Sequence, residues 1–183
     1  MATTKLWTIE ELEREGAPEG RWELIDGELV EMSPSSRASS RIGLRFGRHL
    51  ANHVEPRGLG EVHGAEGGFV LFPERPRPTL RVPDAAFVRA DRLVNQDEDG
   101  FLHLAPDLVV EVISPSDRLD EVLAKVDMWL EAGVRLLWLV DPVAHTVTVY
   151  EPELAPRLLT ERDTLNGGLV LPAFDLPLAE IFR

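Results

Sequence analysis

Apolar and polar positions in this chain change period several times, and the changes mark out its elements. Thr8 to Glu15 reads as a short helix, with Thr8 as N-cap and Glu11 completing a capping box. Gly16 to Gly20 ends it. Trp22-Glu23-Leu24-Ile25 and Glu28-Leu29-Val30-Glu31-Met32 flank Asp26-Gly27, the strongest short hairpin signal, because a type I′ turn needs positive φ at both central residues. Ser33 to Ser36 introduces a longer helix through Ile42, Leu44, Phe46, Leu50 and Val54. Glu61 to Phe72 predicts one strand, bent or bulged at Gly64, Gly67 and Gly68, and the prolines between Pro73 and Pro78 predict a loop. Strands follow at Val82 to Arg89 and Leu108 to Ile113, with an exposed turn at Asp97-Glu98-Asp99-Gly100 between them. Asp120 to Ala132 reads as a helix packed through Val122, Val126, Trp129 and Leu130, with Gly133 as its stop. Val134 to Val140 and Thr146 to Tyr150 form a hairpin across Asp141-Pro142, while the proline-punctuated tail gives no clear pattern. The order predicts a mixed α/β fold in a single domain spanning 1–183, with strand–helix–strand 108–140 as a right-handed parallel crossover.

One strand carries a charge where none is expected. Val, Ile and Leu surround Glu111 as in a strand buried on both faces. An ionised glutamate is almost never buried without a partner, because its desolvation costs several kcal/mol. A metal ion, a lysine or both would compensate. Asp84 lies on the preceding strand, and neighbouring strands ~4.8 Å apart would let the two carboxylates share a hard cation such as Mg²⁺. Val112 points its side chain away but leaves its carbonyl as a third oxygen ligand. Asp107 shares the face of Glu111 but sits roughly 13 Å along the strand, too far to share an ion, and reads as a strand-entry residue. Lys125, four residues before Trp129, lies on the helix's inward side. It either snorkels to the edge as a structural residue or reaches the site to orient water and offset developing phosphorane charge.

Composition narrows the chemistry. Zero cysteines exclude disulfides and thiolate–zinc sites. There is no apolar run of membrane-spanning length and no secretory signal at the N-terminus, so a cytoplasmic location is expected. The formal net charge of −13 works against nucleic-acid affinity, which Lys–phosphate and Arg–phosphate contacts normally dominate. Arg37, Arg41, Arg45 and Arg48 could form a local basic stripe, or simply a solvated helix face. His49 and His53 are spaced to share a ligand on one helix face, but no accompanying Glu motif supports zinc hydrolysis.

Trp22 to Leu29, Val82-Pro83-Asp84, Pro106 to Asp117, Lys125 at its distance from Gly133-Val134, Trp138 to Pro142 and Val147 to Tyr150 together resemble the bacterial "putative restriction endonuclease" family of the PD-(D/E)XK nuclease superfamily. The resemblance runs through almost the whole chain. It implies a restriction-endonuclease-like core, a central mixed sheet flanked by helices, with Mg²⁺ or Mn²⁺ at one edge and DNA as substrate. It implies that Asp84 is the motif aspartate and Glu111 the acid of the (D/E)XK half. Position 113 is Ile where the superfamily pattern has lysine, and the family supplies that lysine from the following helix, at Lys125. Some members carry a histidine near position 40, here Ser40, and an accessory glutamate falls to Glu23 or Glu28.

Three functions fit these residues: a metal-dependent nuclease, acting as a homodimer to cut both strands; a catalytically weak or inactive nuclease-fold module that binds nucleic acid or protein; and a metal-dependent hydrolase of small acidic or phosphate substrates. A Lys125 ammonium within ~5 Å of the Glu111 carboxylate, with Asp84 facing both, would favour the first over the second.

Overall fold

The computed structural model describes residues 5–97 and 99–183. The expected turn at Asp97–Gly100 contains Glu98, which lies outside the described residues, as does the N-terminal tetrapeptide.

Local signals near the N-terminus are expressed directly. Helix α1 (Ile9–Glu15) carries the capping box, with Thr8 N donating to Glu11 Oε2 at 3.0 Å and Glu11 N to Thr8 Oγ1 at 3.2 Å. Strands β1 (Trp22–Ile25) and β2 (Glu28–Glu31) pair across a turn in which Asp26 has φ +49° and Gly27 φ +83°, as a type I′ hairpin requires. Helix α2 (Arg37–Val54) starts at Ser36, whose hydroxyl accepts from Ser39 N, and buries Ile42, Phe46, Leu50 and Val54 at helical spacing.

The expected strand at 61–72 is instead two strands in different sheets: β3 (Gly60–Gly64) and β4 (Phe69–Leu71). The three glycines do more than bend one strand. At Gly68 a Cβ would sit 2.7 Å from the Phe101 ring, so only glycine allows the chain to pass there and change sheets. A second unpredicted strand, β5 (Thr79–Arg81), follows the proline loop, and β6 (Ala85–Arg89) then starts three residues later than Val82. One sheet has the order β2-β1-β5-β4, and its buried residues Leu24, Val70 and Leu80 cover Ile9 and Leu12 of α1.

The larger sheet completes with β7 (Leu108–Val112), α3 (Leu119–Glu131), β8 (Leu136–Asp141), β9 (Thr146–Tyr150) and β10 (Arg157–Thr160). Its order is β10-β9-β8-β7-β6-β3, mixed because β7 and β8 run parallel across the α3 crossover. Strand β7 is buried on both faces: Leu108, Val110 and Val112 pack with Phe46 and Trp138, while Val109 packs with Val126 and Trp129 of α3. Glu111 projects to the α3 face.

The tail forms β11 (Thr164–Asn166), β12 (Asp175–Pro177) and α4 (Ala179–Phe182). Apart from exposed Leu169, Ala173 and Ala179, its apolar residues are core: Leu171, Phe174, Leu176 and Ile181 pack with α2. Most apolar side chains of segment 169–176 therefore face the core and not solvent. Among the described residues, no helix is long and apolar enough to cross a membrane.

Candidate functional site

Two prolines end ladders at the edge where the candidate residues gather. Ala85 pairs with Val110, so the residue opposite Val112 is Pro83, which has no amide hydrogen. Val112 N turns to the neighbouring side chain, donating to Asp84 Oδ2 at 2.8 Å, and the ladder supplies no donor to the Val112 carbonyl. On the other side, Ile113 N reaches Val140 O at 2.9 Å, but the amide that would serve Ile113's own carbonyl belongs to Pro142. Ser39 Oγ donates to it instead at 3.3 Å, tying α2 to the end of β7. Helix α2 crosses so close to Asp84 that a Cβ on Gly43 would lie 3.2 Å from the Asp84 Cβ.

From the opposite face, α3 delivers two donors one turn apart. Lys125 Nζ lies 2.9 Å from Glu111 Oε1 and 3.1 Å from Oε2, and Trp129 Nε1 donates to Oε1 at 2.8 Å. The lysine also lies 3.5 Å from Glu23 Oε1. Glu23 is buried on β1, where Arg81 Nη1 meets its Oε2 at 2.6 Å and Val82 N donates to Oε1 at 3.0 Å. Glu28, the other accessory candidate, is exposed on β2. Strand alternation puts Ile113 on the same face as Glu111, so the expected superfamily lysine position points to this region as well. Here the ammonium comes from the helix.

The remaining candidates sit elsewhere. Asp107 is buried at the start of β7, held by Arg92 and by the Arg89 amide at 3.0 Å each, as a strand-entry residue would be. His49 faces Glu180 at 3.7 Å and His53 the Pro172 carbonyl at 3.2 Å, so both serve the C-terminal segment. Arg45 donates to the Ile181 and Arg183 carbonyls, leaving Arg37, Arg41 and Arg48 exposed on α2 with Ser40.

The buried charges do not balance. Among the described residues, the buried cations facing Glu23, Asp84 and Glu111 are Lys125 and Arg81; half-buried Arg21 attracts Asp84 more weakly than Lys125 does, and Asp117 works against it. Burial alone would raise Glu23, but Lys125 and Arg81 outweigh it and hold its carboxyl below the usual range. Burial keeps Asp84 above its usual range despite the Val112 amide. Glu111 is pushed up to about 7 by burial, reinforced by Asp84 and Glu23 and only partly offset by Lys125. Burial would lower Lys125, but Glu111 and Glu23 prevail and hold it above an ordinary lysine. Such a cluster takes up a proton or a cation.

Among the described residues no three Asp, Glu or His side chains converge closely enough to hold an ion alone. Two carboxylates of raised proton affinity and a main-chain carbonyl without a ladder donor nevertheless fit Mg²⁺ or Mn²⁺, which keep several waters. The cluster opens into a cleft of about 790 Å³ whose lining includes Arg21, Ser114 and Asp117.

Neither Arg81 nor Trp129 emerges as a site residue from the sequence. Trp129 carries the better signal: an aromatic with a polar N–H, one turn from an inward lysine.

A search of curated proteins finds no match. Among solved structures, the chain is similar to one described as "a putative nuclease belonging to DUF820 from Anabaena variabilis ATCC 29413", at 20% identity and TM-score 0.79, covering 96% of this chain and 97% of that one. At that identity the likeness speaks for a shared nuclease-like fold. With a family match over residues 8–179, the chain belongs to the Uma2 family, described as "Putative restriction endonuclease".

Proposed function

We propose that this protein is a divalent-metal-dependent nuclease that hydrolyses phosphodiester bonds in DNA. The observation that carries the reading is the Lys125 ammonium at 2.9 Å from Glu111, in a cleft that Asp84 and Glu23 also line. Asp84, Glu111 and the Val112 carbonyl would hold Mg²⁺ or Mn²⁺. Bound there, the ion would polarise the phosphate and acidify a neighbouring water. The chain's own residues do the positioning. Val112 N orients Asp84, and Glu23 draws Lys125 away from a pairing with Glu111 alone. Lys125 donates to the attacking water and to the charge that develops on the phosphate. Arg81 fixes Glu23 and so supports the lysine.

A second reading, a nuclease-fold binding module with weak or no catalysis, draws support from the cleft lining. It carries eight carboxylates against four cations, a poor surface for a polyanion without added metal. Assay of the purified protein on duplex DNA, single-stranded DNA and RNA with Mn²⁺, beside Glu111→Ala, separates the two. Metal-dependent cleavage absent from the variant supports the nuclease. Binding without cleavage by the wild type supports the module.

A further inference from the structure

We infer that Trp129 is a positioning residue for Glu111, fixing the orientation in which its carboxylate is offered to the ion; this rests on the nuclease reading above. The indole is fully buried, and its N–H donates to Glu111 Oε1 at 2.8 Å. Lys125 donates to Oε2 at 3.1 Å while its ammonium also lies 2.9 Å from Oε1, so the two α3 donors hold one carboxylate oxygen each. Lysine cannot set this geometry by itself. Its ammonium sits on a flexible stem and also lies 3.5 Å from Glu23, whereas the packed indole presents one N–H in one direction. Residues 125 and 129 share a helix face, so two successive turns of α3 grip one carboxylate.

Packing does not require this hydrogen bond. Trp138, equally buried on β8, has an indole N–H with no hydrogen-bond partner among the described residues. A large ring would fill the space under α3 without its nitrogen aimed at an acid. Outer partners of metal ligands fix ligand orientation, and their loss typically costs roughly 10–100-fold in metal affinity or activity.

The test compares wild-type protein with Trp129→Phe and with a variant carrying benzothienylalanine at 129, where sulfur replaces the N–H and the ring shape is kept. Mn²⁺ affinity is read by calorimetry, folding by thermal melts, and kcat and KM on DNA separately. The inference expects the isosteric variant to melt like wild type. It should bind Mn²⁺ about 10–100-fold more weakly and lose kcat with KM unchanged, since the indole touches no substrate. In ¹⁵N spectra the Trp129 indole resonance should shift on adding Mg²⁺, with Trp138 as the internal control. If Trp129→Phe fails to fold, the isostere alone decides. Wild-type Mn²⁺ affinity and kcat in the isostere overturn the positioning role and leave the nuclease reading intact. Wild-type protein that neither binds Mn²⁺ nor cleaves overturns both.

Discussion

Lys125 reaches Glu111 from the helix after β7, placing Nζ 2.9 Å from Oε1, and not from two residues further along the same strand. The side chain at 113, where a strand lysine would stand, is Ile113, packed among the apolar residues under α3. An ammonium is a compact donor on a long stem, so the same volume can be filled from a different backbone position. If this lysine serves the reaction, Lys125→Ala should abolish turnover and leave Mn²⁺ binding largely intact. Lys125→Arg should rescue poorly, because a guanidinium is planar and bulkier. Wild-type cleavage by Lys125→Ala would make the residue a packing lysine.

Glu111→Ala should lose Mn²⁺ binding while the fold survives. Lys125 then keeps Glu23, 3.5 Å away, as a counter-ion, so the variant does not strand a buried charge. Calorimetry showing unchanged Mn²⁺ affinity would sink the assignment of Glu111 as a ligand.

The raised Glu111 carboxyl, at about 7, makes metal-free stability depend on pH. Between its ordinary value and 7, the folded protein holds a proton that the unfolded chain has released. Its stabilisation is therefore complete below the ordinary glutamate range and lost as pH rises to 7, by on the order of 3 kcal/mol. Glu23, held low, acts oppositely and loses its contribution as pH falls through the acid range. Urea titrations in chelator should show stability falling from pH 5 to 7.5, with Glu111→Gln flattening the slope. An unchanged slope in that variant would place the proton elsewhere.

Gly43→Ala tests the contact between α2 and Asp84. The added Cβ would meet Asp84 Cβ at 3.2 Å, tight enough to push the aspartate by a few tenths of an ångström. We expect Mn²⁺ affinity and kcat to fall, up to about 100-fold, for a stability change below about 1 kcal/mol. A loss of stability without a loss of affinity would mean that Asp84 is not a ligand.

Cutting both strands of a duplex calls for two sites, most simply by two-fold symmetry. Light scattering should then give about twice the chain's 20.4 kDa, and a mass near 20.4 kDa would exclude the dimer.

Sequence alone determined the elements whose signals are local: the Thr8–Glu11 box, the Asp26-Gly27 turn and the α3 face. It also exposed the physical anomaly of Glu111, because an acid within a doubly buried strand is costly wherever that strand lies. Adjacency was beyond it. Two strands replaced the one expected at 61–72, since Gly68's passage beside Phe101 depends on a residue more than thirty positions away. Glu23 and Glu28 are equivalent in sequence, and only the pairing of β1 with β5 puts Glu23 beside Arg81 while Glu28 faces solvent. The tail, which gave no readable pattern, became core against α2. Periodicity records which face of an element is apolar, but what covers that face is decided by long-range packing, and the site exists only where two sheets and two helices meet.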